Sequence, residues 1–476
     1  MDLWAVMPEM ILAGLALALV PVAGWARGYW CRLPAALTLT GLLVAAAFTA
    51  PMLNATPQEA FCGTYAVDPF RAYYQLMIEA GAAITILVLA SHFRGAPQEP
   101  HAPLAVLFAT IGGLGLAAAT DLGLIVLALQ MVSFPSYILV VLVRSDRSAQ
   151  EAALKYFIYG AAALAIMAYG LTFLFGLTGS LNLHVIGTGL HGADATWIAT
   201  ALALVLVGYG FEITLVPFHA WAPDVFQGAT PPVSGFVSVV PKVAAFAGLL
   251  RFLIEAMPNG LSAWPWVLAI IAAVTMTFGN LVALRQNTLK RLLAYSSIAQ
   301  AGYMLMAVAV VEHSPDALPA IGYYLFAYLL MNLAAFTVVA QIERMFGSDG
   351  FETVNGLGRR APWPAAALAL ALLSLAGIPP LAGFAGKVFL LIAAIDGGLT
   401  WLAIIAAINM AVALYYYAAI VAEMYFRVSE EKKDITSDAA SGYVWSAGLC
   451  TAGTIALGIM PTFGLDLVRY GAELLR

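Results

Sequence analysis

Apolar stretches long enough to cross about 30 Å of hydrocarbon recur along this chain from its first residues to its last. They fall near 3–24, 33–52, 70–91, 102–120, 122–143, 153–176, 196–218, 232–255, 263–284, 291–311, 317–341, 363–393, 399–425 and 441–463. A helix rises about 1.5 Å per residue, so about 20 apolar residues span a bilayer core. Of the 476 residues 62% are hydrophobic and only 10% charged, too few charges to cover a water-soluble fold of this size. The solvent must be largely lipid. The expected fold is an all-α polytopic membrane protein of about fourteen transmembrane helices, since only helices and closed barrels satisfy their backbone in hydrocarbon.

The charges orient this map. Connections after odd-numbered stretches carry Arg27, Arg32, Arg94, Arg144, Arg147, Lys155, Arg285, Lys290, Arg291, Arg344, Arg359, Arg360, Arg427, Lys432 and Lys433, fifteen of the 21 basic residues. The opposite side has Arg71, Arg251, Arg469 and Arg476. By the positive-inside rule the odd connections are cytoplasmic and both termini lie outside. The first stretch follows no basic segment and no cleavage site, so residues 3–24 read as a retained helix. A net charge of −5 with no basic arm points away from nucleic acid. Cys31, Cys62 and Cys450 are scattered without metal or redox spacing. No GxGxxG, P-loop or CxxC motif appears, so no nucleotide, flavin, iron–sulfur or metal site is expected in the chain.

Two basic residues remain, Lys242 and Lys387, and both fall inside apolar stretches, as do Glu212 and Glu79. An ionised lysine at mid-bilayer costs about 2.5–3.5 kcal/mol even on the mild insertion scale, so it needs a partner or a hydrated route. Two stretches also carry helix breakers beside an ionisable residue. The seventh runs from Gly208 through Glu212 and Pro217 to His219, and the twelfth from Leu375 through Pro379 and Pro380 to Lys387. Interrupted helices in corresponding positions of two halves point to an inverted repeat around an ion path.

The quoted residues resemble a known family. The run Pro217-Phe-His-Ala-Trp-Ala-Pro-Asp-Val-Phe-Gln-Gly-Ala229, then Pro231-Pro-Val-Ser234 and Lys242, is similar to the antiporter-like subunit N of bacterial respiratory complex I, the mitochondrial subunit 2 type. Glu151-Ala-Ala-Leu-Lys-Tyr156, Lys290-Arg-Leu-Leu-Ala-Tyr-Ser-Ser297, Leu373-Ser-Leu-Ala-Gly-Ile-Pro-Pro380 and Gly383-Phe-Ala-Gly-Lys387 agree as well. The resemblance implies three N-terminal helices over 1–101, five-helix units over 102–257 and 258–427 related by inversion, and a loop with a last transmembrane helix over 428–476. It implies a membrane-arm subunit of NADH:quinone oxidoreductase in the bacterial inner membrane, among lipid and other membrane-arm subunits. Such a subunit translocates protons while NADH, FMN, iron–sulfur clusters and quinone work in other subunits. The alternatives are a subunit of an Mrp-type cation/proton antiporter and a structural complex I subunit that no longer pumps.

Two positions depart from the family pattern. Gln130 stands where a glutamate of the fifth helix is expected, and Glu212 stands where a lysine of the seventh is expected. The expected proton path is therefore Glu212, Lys242 and Lys387, with Glu212 either paired with Lys242 or carrying a proton itself. His219, Lys155, Gln130, Tyr295 and Ser296 are candidates for extending it. Asp224, beside Pro223, reads as a turn or cap residue, and Tyr415, Tyr416 and Tyr417 read as packing and interfacial side chains.

Overall fold

Each of these apolar stretches is occupied by helix in a computed structural model that describes residues 2–26, 28–96, 98–142, 146–257, 264–427 and 441–473. The helices are α1 (Met7–Trp25), α2 (Leu33–Thr49), α3 (Pro69–His92), α4 (Ala102–Ala118), α5 (Leu122–Leu142), α6 (Arg147–Thr178), α7 (Leu183–Gly189), α8 (Ala195–Ile213), α9 (Ala222–Gly228), α10 (Pro231–Ala256), α11 (Trp264–Ala283), α12 (Leu289–Val308), α13 (Ala317–Phe346), α14 (Leu357–Arg360), α15 (Pro362–Ala376), α16 (Ala382–Asp396), α17 (Thr400–Phe426), α18 (Ser441–Ile459) and α19 (Pro461–Glu473). Eleven helical segments among the described residues are long and apolar enough to cross a membrane, and α4 and α15 are shorter apolar helices. Arg27, Arg144, Lys432, Lys433 and Arg476, which helped to orient the chain, lie outside the described residues.

Local chemistry sets the helix ends. Asp68, Asp146 and Asp194 accept hydrogen bonds from the first-turn amides of α3, α6 and α8, and Thr288 does so for α12. Gly179, Gly347 and Gly377 end α6, α13 and α15 in the left-handed conformation that a Cβ opposes. The sequence reading passed over α7, α9, α14 and α19, which are short or carry too little apolar length to register as spans. It also passed over an antiparallel hairpin between α2 and α3, Gln58–Ala60 with Tyr65–Val67, whose strands are too short for a period-2 signal.

Helices α10 and α13 form the buried axis of the molecule, packed against each other. On one side α10 meets α3, α4, α8 and α5, and on the other α13 meets α15, α16, α18 and α12. The outer faces of α1, α2, α5, α6, α11, α17 and α18 leave large apolar side chains exposed, among them Leu17, Leu43, Leu127, Ile158, Ile270, Ile408 and Leu449. Such faces fit hydrocarbon. Exposed Trp25, Trp30, Trp197, Trp266, Trp363 and Trp445 near helix ends are the type of side chain that settles at the lipid–water boundary.

Candidate functional site

Both predicted breaks exist. Helix α8 stops at Ile213, with Thr214 left-handed at φ +69, and the chain turns through a cis Val216–Pro217 bond into α9. Helix α15 stops at Ala376, with Gly377 at φ +90, and turns through a cis Pro379–Pro380 bond into α16. Backbone groups freed inside a membrane must find partners in the protein. At the first break Trp221 Nε1 donates to the Phe211 carbonyl at 3.2 Å and Thr275 Oγ1 accepts from the Val216 amide at 3.1 Å. At the second, Ser374 Oγ accepts from the Gly383 amide at 3.0 Å.

A buried lysine bonds at each break. Lys387 Nζ donates to the Leu375 and Ala376 carbonyls at 2.7 and 3.1 Å. These are the last carbonyls of α15, where the helix dipole favours a cation. Lys242 Nζ reaches the first break from α10 and donates to Thr214 Oγ1 at 3.1 Å, Ser297 Oγ at 2.7 Å and the Ser297 carbonyl at 2.9 Å. Both side chains are buried, with Lys242 Nζ over the ring of Tyr328 and Lys387 Nζ over the ring of Tyr303.

Helix α12 runs between the two lysines. Tyr328 donates to Ser297 Oγ at 2.8 Å, beside Lys242. Ser296 bonds Tyr417, and Gln300 Nε2 reaches the Leu375 carbonyl at 3.2 Å, the same oxygen that Lys387 holds. Tyr324 donates to Gln300 Oε1. Adjacent Ser296 and Ser297, with Gln300 one turn further, thus place a polar string along α12 between the lysines.

Glu212 lies apart from this string. Its Oε2 accepts from Ser133 Oγ of α5 at 3.0 Å, and Oε1 has no hydrogen-bond partner. A cavity of about 10 Å³, lined by Gln130, Ser133, Tyr137, Phe211 and Glu212, has room for roughly one water. The expected Glu212–Lys242 ion pair is not formed among the described residues. Glu212 is on the last turn of α8 and faces α5, whereas Thr214, just past the helix end, faces α10 and takes Lys242 in its place.

The other candidates separate as well. Gln130 shares the cavity with Glu212, and Ser296 belongs to the string, but Tyr295 packs at the edge of the core. His219 stacks edge-on against Phe278 with centroids 4.6 Å apart. Lys155 is partly exposed and binds Asp224 and Glu151 at 2.7 Å each, while Arg291 reaches Asp224 at 3.4 Å. Asp224 therefore ties α9 to α6 and α12 and is more than a turn residue. The sequence reading missed Thr214, Ser133, Tyr324, Tyr328 and Gln300, and took Tyr417 for packing. The signal for several of them was the i, i+4 spacing of Ser296 with Gln300 and of Tyr324 with Tyr328 inside apolar helices.

Gly377 leaves little room for a side chain. A Cβ there would sit 3.0 Å from Lys387 Cδ, on a residue whose φ is already positive. Gly377→Ala is expected to destabilise the protein by about 1–3 kcal/mol and to push Lys387 off the α15 carbonyls. A lowered Tm of the purified assembly checks it, and an unchanged Tm contradicts the placement.

A bundle of apolar helices with buried lysines at two internal helix ends is an antiporter-like membrane protein. The profile of the family described as "NADH:quinone oxidoreductase/Mrp antiporter, TM" matches residues 119–413. The NADH-quinone oxidoreductase subunit N of Trichlorobacter lovleyi is 36% identical over 487 residues, covering 100% of this chain and 98% of the relative. A chain of respiratory complex I from Thermus thermophilus, solved with bound aureothin, superposes with a TM-score of 0.83 at 36% identity, covering 97% of this chain and 99% of that one. A chain of the Mrp complex from Dietzia sp. shares the fold with a TM-score of 0.87 over 100% and 98% of the two chains, at 23% identity. The chain belongs to the NADH-quinone oxidoreductase subunit N family.

Proposed function

We propose that the chain moves protons across the bacterial inner membrane as a membrane-arm subunit of an NADH:quinone oxidoreductase. One observation carries this reading: Lys242 and Lys387 are each buried at an interrupted helix, and the polar side chains of Ser297, Ser296 and Gln300 lie along α12 between them, Ser297 bonded to Lys242 and Gln300 to the carbonyl that Lys387 holds. Charged groups inside a bilayer are costly and mark ion pathways. Lys387 exchanges protons with one aqueous side, Lys242 relays within the first half, and Glu212 carries a proton in its own cavity. Coupling reaches the chain from neighbouring complex I subunits, which hold the NADH, FMN, iron–sulfur and quinone chemistry. This chain holds no redox centre of its own.

Two inverted five-helix units, 102–257 and 258–427, fit the pattern of a buried lysine beside an interrupted helix in each half, with 1–101 and 428–476 as flanking elements. The basic residues of the odd connections favour both termini on the periplasmic side. Purification through a tag on this chain tests the reading. Flavin and iron–sulfur subunits are expected to co-purify, and the reconstituted complex is expected to acidify one compartment on NADH addition. Sodium/proton exchange without NADH would instead assign the chain to an antiporter. Electron transfer unaffected by changes at both lysines, with pumping intact, would leave it a structural subunit.

A further inference from the structure

Outside the lysine string lies a second buried acid. Glu79 of α3 is sealed from solvent, and the charged groups that reach it are Glu9 of α1 and Arg71 of its own helix. Its Oε1 accepts from Thr49 Oγ1 of α2 at 3.0 Å, and Oε2 has no partner. Ten residues separate it from the start of α3, about 15 Å along the axis and so near mid-bilayer. A carboxyl group there, with no cation bonded to it, calls for a functional explanation.

The residues on the same face of α3 supply one. Gln75 lies one turn from Glu79 and Arg71 one turn further. Gln75 Nε2 donates to Glu9 Oε1 at 2.7 Å and to the Leu114 carbonyl at 3.0 Å, leaving Gln75 Oε1 without a partner. Glu9 also accepts from Tyr65 of the hairpin, lies 3.6 Å from Arg71, and keeps 13% of its side chain exposed. Glu9 Oε2 is likewise buried and unpartnered. A column of oxygens with spare hydrogen-bonding capacity therefore descends from the face carrying the start of α1, through Glu9 and Gln75, to Glu79. We infer that Glu79 is a proton-binding site separate from the Glu212–Lys242–Lys387 set, filled and emptied along this column from the face where α1 begins.

The site is placed to influence α10. Two residues beyond Glu79, a Cβ on Gly81 would meet Val240 Cγ2 at 2.8 Å and Leu329 Cδ1 at 3.4 Å. Val240 is two residues from Lys242, so α3 and the lysine-bearing helix are in tight contact just where α3 would respond to a proton on Glu79. Interior packing of this density transmits displacement.

Infrared difference spectra of the intact complex in liposomes test this, with a pH step on one side at a time. Wild type minus Glu79→Gln is expected to show one carboxylic acid C=O band that changes with pH on the face where α1 begins, and Glu79→Asp is expected to retain such a band. Gln75→Leu is expected to keep the band while slowing its exchange with deuterium oxide, which probes the column even where Glu79→Gln fails to assemble. Absence of the band, its response only to the opposite face, or unchanged exchange in Gln75→Leu overturns the inference. None of these readouts requires that the chain pump, so failure of the pumping reading would remain distinguishable.

Discussion

Lys242→Met is expected to lower NADH-driven proton translocation about a hundredfold, the low end of what positioned proton donors and acceptors contribute, while the complex still assembles. Methionine fills nearly the same volume as the lysine stem, so the buried site keeps its packing. What disappears is the group that bonds Thr214 and Ser297 together across the end of α8. The two hydroxyls fall back on carbonyls of their own chain, a minor loss, but the amine that can take up and release a proton between α8 and α12 is gone. Lys242→Ala adds a cavity cost of about 2–5 kcal/mol, by analogy with the truncation of other long buried side chains, and would confuse loss of pumping with loss of fold. Proton uptake by inverted vesicles, normalised to NADH oxidised, is the measurement. Full pumping by a stably assembled Lys242→Met complex would rule out the string as the route.

Much of this arrangement could be read from the sequence, and the reason is the bilayer. A chain that must satisfy its backbone in hydrocarbon declares its helices by apolar length, and its exceptions become conspicuous. Pro217, Pro379 and Pro380 announced the breaks, and Lys242 and Lys387 announced the buried charges. Residues whose polarity is ordinary stayed hidden. Thr214 and Ser133 have hydroxyls that can bond to their own helix as readily as across an interface, so type and spacing do not fix their partners. The direction of Glu212 was hidden for a related reason. It lies two positions before Thr214, and the left-handed turn at Thr214 decides which of the two faces α10. Proximity in sequence suggested a Glu212–Lys242 pair, and that turn prevents it. Glu79 was visible as a buried acid, but its companions Glu9 and Gln75 acquire meaning only when α1 and α3 are seen side by side.

Gln130 and Glu212 face one another in the first half of the chain. The resemblance implies glutamate and lysine at these positions, and the two side chains line one small cavity here. Glu212→Lys alone would set an ammonium against Ser133 and Gln130 with no counter-charge, a burial expected to cost about 3–5 kcal/mol. Gln130→Glu alone would bring a second carboxyl to the cavity beside Glu212, where two buried anions repel. Together the changes would create an opposite-charge pair in the same space. The double variant is therefore expected to be more stable than the sum of the single changes by about 0.5–3 kcal/mol, the usual range for residues in contact. Thermal unfolding of the four purified complexes measures the coupling. Additive losses would mean that the two side chains do not share the cavity. Proton translocation by the double variant then bears on the chemistry of the site. Pumping preserved with a lysine at position 212 would show that the first half needs a protonatable group there and tolerates either sign of charge. Pumping lost in a well-folded double variant would assign the role to the carboxyl itself, held by Ser133 and able to alternate between neutral and anionic forms.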